Sequence, residues 1–166
     1  MSRIGLYFGS FNPVHDGHLA IAEYMLNHAP IDELWFVLSP QNPLKNPDEL
    51  WSNEKRFELL KSAIEGKTGL SICTAEWTMP TPSYTIDTLK KLSETHPNKE
   101  LSIIMGADNL QNIEQWKSFE KILDNYRIFV YPRPNVLPNA YFNHPNVTVF
   151  DAPLMDISSS QIRKEK

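Results

Sequence analysis

A short apolar run near the amino terminus stops at a glycine, and two histidines follow that glycine at helical spacing. Residues 4–8 read Ile-Gly-Leu-Tyr-Phe, and residues 9–18 read Gly-Ser-Phe-Asn-Pro-Val-His-Asp-Gly-His. Gly9 can take backbone angles that other residues avoid, and without a Cβ it lets a polyanion approach the main chain. Apolar residues then recur at helical spacing at Leu19, Ala22, Met25, Leu26 and Ala29. The pattern predicts a strand, a tight turn and a helix that begins near Asp16 or Gly17.

The two histidines, His15 and His18, lie at or just before the start of that helix. Unpaired amide N–H groups and the helix dipole attract phosphate there, and both imidazoles can face one ligand. The pair could donate hydrogen bonds to phosphate oxygens as negative charge builds in a transition state. Two different roles stay open for the pair: helix caps or surface residues, and a zinc site, for which two histidines without an evident third ligand are a weak signature.

Strand and helix patterns alternate along the rest of the chain. The predicted strands are 3–8, 33–38, 70–74, 101–105, 127–131 and 147–150, and the predicted helices are 17–27, 53–64, 84–95 and a short one at 118–124. The alternation predicts one α/β domain over residues 1–166, a Rossmann-like doubly wound parallel sheet with helices on both faces. Ligands bind such sheets beyond the carboxyl ends of the strands, where residues 9–18 fall. No G-x-G-x-x-G fingerprint occurs, which argues against a hydride-transferring enzyme.

Composition limits the partners that the chain can have. A net charge of −4 argues against a general nucleic-acid surface, so any anion site must be local. The single cysteine, Cys73, excludes an internal disulfide framework. The amino terminus does not resemble a signal peptide, and no apolar run is long enough to span a membrane. We therefore expect a soluble cytoplasmic protein with no membrane partner.

A second candidate phosphate-binding segment lies near the carboxyl terminus. Residues 156–163 read Asp-Ile-Ser-Ser-Ser-Gln-Ile-Arg, with Ser158 and Gln161 spaced as a capping box. A well-capped helix would account for this segment by itself. The same hydroxyls and amides could also bind a triphosphate, to which Arg163 could add a charge-assisted contact.

These segments resemble two signatures of the HxGH nucleotidyltransferase superfamily. Residues 9–18 resemble its HxGH signature, whose usual form is close to G-[GS]-x-F-[DN]-P-x-[HT]-x-G-H, and residues 157–163 are similar to its ISSTxIR motif, with Ser160 where threonine is common. Between them lie Glu76, Pro-Ser-Tyr-Thr-Ile-Asp-Thr-Leu at 82–89, Gly-Ala-Asp-Asn-Leu at 106–110 and Trp116. Alone, the last three would be a capped helix, a turn and a core indole. Together and in this order, they resemble bacterial nicotinate-nucleotide adenylyltransferases over nearly the whole chain.

The resemblance implies transfer of AMP from ATP to nicotinate mononucleotide, which gives deamido-NAD and pyrophosphate in NAD biosynthesis. It implies that His15 and His18 contact the ATP phosphates, with His18 stabilising charge on the α-phosphate. The remaining implied ATP-binding residues are Gly9, Ser10, Phe11, Lys45, Gly106, Asp108, Arg133, Ser158, Ser159 and Arg163. Mg²⁺ is expected on the ATP phosphates, without a cage of protein ligands.

For the pyridine nucleotide, the resemblance implies binding by Tyr84, Thr85 and Trp116. Backbone amide donors near Thr85 suit a carboxylate better than a carboxamide, so we expect a preference for the nicotinate form. Three departures weaken individual assignments: Leu44 precedes Lys45 where the family often has histidine, Asn135 follows the Arg133-Pro134 pair where glycine is common, and family members usually continue beyond a position equivalent to Lys166. From the last departure we expect either a truncated carboxyl terminus or a short member.

Two alternatives remain open at this point. One is a sister enzyme that acts on nicotinamide mononucleotide or phosphopantetheine, and the other is a non-catalytic nucleotide sensor on the same fold. Intact His15 and His18 argue against a sensor, which would be free to lose them. A homo-oligomer is compatible with the sequence.

Overall fold

Six strands and five α-helices alternate along the part of the chain that the computed structural model describes, residues 2–40, 51–80 and 83–152. The strands are β1 (Ser2–Gly9), β2 (Glu33–Leu38), β3 (Leu70–Cys73), β4 (Lys99–Gly106), β5 (Arg127–Tyr131) and β6 (Val147–Val149). The helices are α1 (Asp16–His28), α2 (Asn53–Ile64), α3 (Thr85–Thr95), α4 (Ala107–Gln111) and α5 (Phe119–Asn125), and 3₁₀ turns lie at Ala75–Thr78, Ile113–Gln115 and Ala140–Asn143. Every predicted strand and helix is confirmed to within two residues, and the sequence missed α4, where a turn was the expectation. None of the described helices is long and apolar enough to cross a membrane.

The strands form one parallel sheet in the order β3-β2-β1-β4-β5-β6. After β3 the chain returns past β1 to form β4 on its other side, so the strand order reverses between β1 and β4. A crevice opens beyond the carboxyl ends of strands at such a reversal. Gly9 and Gly106, the last residues of β1 and β4, border it. The predicted doubly wound α/β fold is confirmed.

Both faces of the sheet are buried, as the apolar strands predict. In β4, Ile103 and Met105 join the apolar cluster under α3 and α5, while Ile104, which points to the opposite face, joins the cluster under α1 and α2. β5 repeats this alternation with Ile128 and Val130 on the first face. Helices pack on both faces of the sheet, and the ends of these packed strands border the crevice.

Candidate active site

Two imidazoles cap the amino terminus of α1. The Gly17 amide donates to Nδ1 of His15 over 3.0 Å, and the His15 amide donates to Nδ1 of His18 over 3.1 Å. These bonds form a reciprocal capping box in which histidines occupy the positions usual for Ser and Glu. The helix-cap interpretation is therefore correct for one nitrogen of each ring, and the second nitrogen is left for a different partner.

The caps fix the proton of each neutral ring. A nitrogen that accepts an amide hydrogen cannot carry one, so the proton lies on Nε2 of both His15 and His18. The rings stack with their centroids 3.8 Å apart and their planes at 24°. On His18, Phe11 lies edge-on with a centroid distance of 5.0 Å, and Tyr7 lies 6.2 Å away. The two Nε2–H donors are thus held side by side in a fixed arrangement.

Burial keeps this pair neutral. Burial is the largest cause, and together with the charges of His15 and Arg133 it lowers the pKa of His18 to about 3. Burial also lowers the pKa of His15, again with a contribution from Arg133. At neutral pH the site therefore presents two neutral hydrogen-bond donors next to one fixed cation.

The phosphate turn, defined here as residues 9–12, joins β1 to this cap. A Cβ on Gly9 would lie 3.0–3.4 Å from three atoms of the Phe11 ring, so glycine permits the ring to fold back. Phe11 has a φ of 45°, in the left-handed region, and the whole residue is 3% exposed. Ser10 is exposed. Phe11 therefore anchors the turn in the core.

Three further side chains meet at the end of β4. A Cβ on Gly106 would lie 2.5 Å from Oδ1 of Asp108 and 3.1 Å from both Cγ of Arg133 and Cε2 of Tyr131. Only glycine leaves room for Asp108 at this place. Since the charge of Arg133 also acts on both histidines, the structure brings Gly106, Asp108 and Arg133 together with the histidine pair, and their binding of ATP stays a prediction.

The predicted acceptor residues lie around the start of α3. Tyr84 precedes α3 and is 44% exposed, and Thr85 is its first residue. The Nζ of Lys117 lies 4.9 Å from the Tyr84 ring centroid and 3.0 Å from Oδ2 of Asp87. Lys117 directly follows Trp116, whose half-buried indole packs on the apolar cluster under α3. Tyr84, Thr85 and Trp116 thus border one partly exposed region, the acceptor region.

Comparison with known proteins agrees with this geometry. A model of the cytidylyltransferase-like family matches residues 6–165. The chain is 49% identical to the "Probable nicotinate-nucleotide adenylyltransferase" of Azobacteroides pseudotrichonymphae, over 98% of this chain and 85% of that protein. It is 43% identical to the protein of the same name from Flavobacterium psychrophilum, with the same two coverages.

The chain belongs to the cytidylyltransferase-like family, among the nicotinate-nucleotide adenylyltransferases. Its fold matches a solved structure of Plasmodium falciparum nicotinic acid mononucleotide adenylyltransferase complexed with NaAD, with a TM-score of 0.84 at 23% identity. That alignment covers 99% of this chain and 83% of the Plasmodium chain. The likeness extends the agreement to the fold of the whole adenylyltransferase domain.

Two buried polar side chains of this adenylyltransferase, Glu76 and Arg56, have no role predicted from the sequence. Glu76 accepts a hydrogen bond from Oγ1 of Thr88 over 2.8 Å, and burial raises the pKa of Glu76 while that hydrogen bond opposes the rise. Arg56 is 0% exposed and holds four oxygen atoms. The missed signal was the spacing: Arg56 lies four residues before Leu60, so a cation occupies the apolar face of α2.

Four predicted phosphate ligands fall in segments 41–50 and 153–166, outside the described residues. They are Lys45, Ser158, Ser159 and Arg163. In the ranges that the structure describes, no group of three or more His, Cys, Asp and Glu side chains could hold a metal ion. The zinc interpretation of His15 and His18 therefore gains no third ligand there.

Proposed function

We propose that this chain transfers AMP from ATP to nicotinate mononucleotide and releases nicotinate adenine dinucleotide and pyrophosphate, a step of NAD biosynthesis. The observation that carries the proposal is the stacked pair of His15 and His18, with both Nδ1 atoms used as caps and both Nε2–H groups left as donors. Relatives 43–49% identical over 98% of the chain bear the name of this activity. The cytoplasm is the compartment we propose, which a chain with one cysteine suits.

The reaction needs positioning and charge stabilisation more than proton transfer. A phosphate oxygen of nicotinate mononucleotide attacks the α-phosphorus of ATP and forms a new P–O bond. The bond from the α-phosphorus to the bridging oxygen breaks, and pyrophosphate leaves with its electron pair. Nε2–H of His18 donates to an α-phosphate oxygen as charge builds, and His15 supports the neighbouring phosphate. A neutral histidine suits this role because no base has to remove a proton from the attacking phosphate.

The opposite wall of the crevice completes the donor site. Arg133 supplies the fixed positive charge that the neutral histidines lack, and Asp108, beside Gly106, can accept hydrogen bonds from the ribose of ATP. Both follow from where the ends of β4 and β5 bring these side chains. Lys45, Ser158, Ser159 and Arg163 remain predicted ligands of the phosphates.

Mg²⁺ fits this site only as a partner of the substrate. Among the described residues, the groups around the crevice are imidazoles, amides and a guanidinium, which are poor magnesium ligands, and Asp108 alone makes no cage. The phosphate oxygens of ATP would therefore hold the ion, where it would neutralise part of the phosphate charge. The binding and orientation of the nucleotide rest on the protein groups described above.

The acceptor region accounts for a preference for the acid form of the pyridine. Trp116 offers an aromatic face to the nicotinate ring. No side chain among the described residues caps the amide groups at the start of α3, so these amides favour an anion, and Lys117, which also pairs with Asp87, adds a positive charge nearby. The carboxamide of nicotinamide mononucleotide would place its own N–H donors against these donors.

Pyrophosphate release with different acceptors tests the proposal. Purified protein receives Mg-ATP with nicotinate mononucleotide, nicotinamide mononucleotide or phosphopantetheine, or with no acceptor. We expect rapid release with the first, at least about tenfold slower release with the second, and background with the remaining two. Release only with phosphopantetheine would move the assignment to a sister enzyme, and ATP binding without release with any acceptor would indicate a sensor.

A further inference from the structure

Arg56 is buried and forms no ion pair with the described residues, although the charge of Glu54 acts on it. Its guanidinium donates to four oxygen atoms at 2.7–2.9 Å: Ser10 O, Ser39 O, Trp51 O and Asn53 Oδ1. None of the ion pairs formed within the described ranges includes it. Burial lowers the pKa of Arg56, but an arginine stays charged at neutral pH. A buried cation whose hydrogen bonds all go to neutral oxygens is costly even with the charge of Glu54 acting on it, so its retention points to a role beyond packing.

The bonds of Arg56 join the phosphate turn to two more segments. Ser10 directly follows β1, Ser39 directly follows β2, and Trp51 precedes α2. The turn is linked to the same segments at two further points, since the Ser39 amide donates to Gly9 O over 2.9 Å and the Trp51 amide donates to Oδ1 of Asn12 over 2.9 Å. Arg56 is therefore the centre of a network that fixes both ends of the phosphate turn.

The bond to Ser10 also sets the direction of one amide. The carbonyl of Ser10 and the N–H of Phe11 belong to one planar peptide and point in opposite directions. The carbonyl points to the buried Arg56, so the N–H of Phe11 points away from it, and it donates to no backbone carbonyl within the described residues. Successive amides in a turn with one left-handed residue form a concave anion site, and Phe11 has that conformation.

We propose that Arg56 is a positioning residue for nucleotide transfer: by holding the carbonyl of Ser10 inside the fold, it presents the Phe11 amide to the phosphates of ATP. This role rests on the proposed function, because ATP is the ligand that the turn receives. Arg56 itself does not touch the nucleotide. Its four-point geometry requires a planar fork, which a lysine cannot reproduce.

Kinetics of Arg56→Lys and Arg56→Met test this role, with Arg127→Met as the matched control because Arg127 is exposed at the start of β5. For Arg56→Met we expect kcat/KM for Mg-ATP to fall about 100-fold, mainly through KM, since small displacements of a positioning group have effects of this size. The KM for nicotinate mononucleotide should stay within about twofold. Arg56→Lys keeps the charge but should recover less than about a tenth of the loss.

An NMR titration that follows individual backbone amides tests the positioning role of Arg56 without enzyme turnover. In wild-type protein, inorganic tripolyphosphate should shift the ¹H–¹⁵N signal of Phe11, and in Arg56→Lys the shift should need about tenfold more tripolyphosphate. If Arg56→Met does not fold, Arg56→Lys decides. Unchanged ATP kinetics and an unchanged Phe11 titration in Arg56→Lys would overturn the proposal. Equal losses of kcat/KM for ATP and for nicotinate mononucleotide would also overturn it, because Arg56 would then have only a structural role. Failure of the proposed function would differ, because wild-type protein would then release no pyrophosphate with nicotinate mononucleotide.

Discussion

The proposed phosphate site, which consists of residues 9–12 with His15 and His18, and the acceptor region are built in contrasting ways. At the phosphate site, His15 and His18 accept backbone amide hydrogens at Nδ1 and stack on each other, and Phe11 lies edge-on to the His18 ring. In the acceptor region, Tyr84 is 44% exposed and its neighbour Lys117 forms an exposed ion pair with Asp87. The first arrangement has one geometry, and the second consists of surface contacts that rearrange at little cost.

The contrast suggests a division of tasks. A transition state that gains charge is best stabilised by donors that need no reorganisation, and a buried, prearranged pair provides them. Choice among acceptors needs only a difference in binding, which an open surface with one aromatic ring and a few amides can supply. We expect substitutions at the phosphate site to change the rate of transfer and substitutions in the acceptor region to change affinity for the pyridine nucleotide.

The largest effect is expected from His18→Ala. It removes a donor to the transferred phosphate, so kcat should fall about 10²–10³-fold. His28→Ala is the matched control because His28 ends the same helix and is exposed; its kcat should stay within about twofold. Steady-state pyrophosphate release measures both, and a nearly normal kcat for His18→Ala would remove this histidine from the mechanism.

The burial of His18 should make the stability of the folded chain depend on pH. The pKa of His18 is about 3 in the folded chain and 6.5 when unperturbed, so protons favour the unfolded state, and the stabilisation present above pH 6.5 is lost as the pH falls toward 3. Between pH 7 and pH 5, wild-type protein should lose about 2 kcal/mol of unfolding free energy that His18→Asn retains. Urea unfolding at both pH values measures this, and parallel losses would show that His18 is not held neutral.

A tenfold effect is expected at the opposite wall of the crevice. In Gly106→Ala the new methyl group would lie 2.5 Å from Oδ1 of Asp108, so Asp108 must move and the KM for ATP should rise about tenfold. If the loss acts through Asp108, the double variant with Asp108→Ala should be no worse than Asp108→Ala alone. If the losses of Gly106→Ala and Asp108→Ala in ATP kinetics were fully additive in the double variant, Gly106→Ala would not act through Asp108.

The smallest effect belongs to the exposed pair of the acceptor region. Lys117 and Asp87 have side chains 49% and 36% exposed, so Lys117→Met should lower the unfolding free energy by less than about 1 kcal/mol. The KM for nicotinate mononucleotide should rise no more than about threefold, since the cation over Tyr84 is also solvated. Thermal unfolding and acceptor titrations check both, and a loss above about 2 kcal/mol would mean that this surface is as rigid as the phosphate site.

Much of the fold and part of the candidate site could be predicted from local sequence patterns. The strands, the helices and the cap at His15 and His18 follow from hydrophobic periodicity and a glycine turn, which act over a few residues. The spacing of Arg56 to Leu60 indicates a cation on the apolar face of α2, but its partners could not be predicted because Ser10 and Ser39 lie 46 and 17 residues away. The use of Nδ1 in the caps could not be predicted either, because the sequence gives the position of a histidine but not which ring nitrogen accepts the backbone hydrogen bond.

Trp116→Ala and His18→Ala, alone and combined, test the division of tasks most directly, with Trp116→Phe as the control that keeps an aromatic face. In assays with saturating ATP and varied nicotinate mononucleotide, Trp116→Ala should raise the KM for that acceptor about tenfold and leave kcat within about threefold, while His18→Ala lowers kcat about 10²–10³-fold. The double variant should show the sum of the two free-energy losses. A loss of kcat in Trp116→Ala as large as that of His18→Ala, with no further loss in the double variant, would contradict separate sites for chemistry and for acceptor choice.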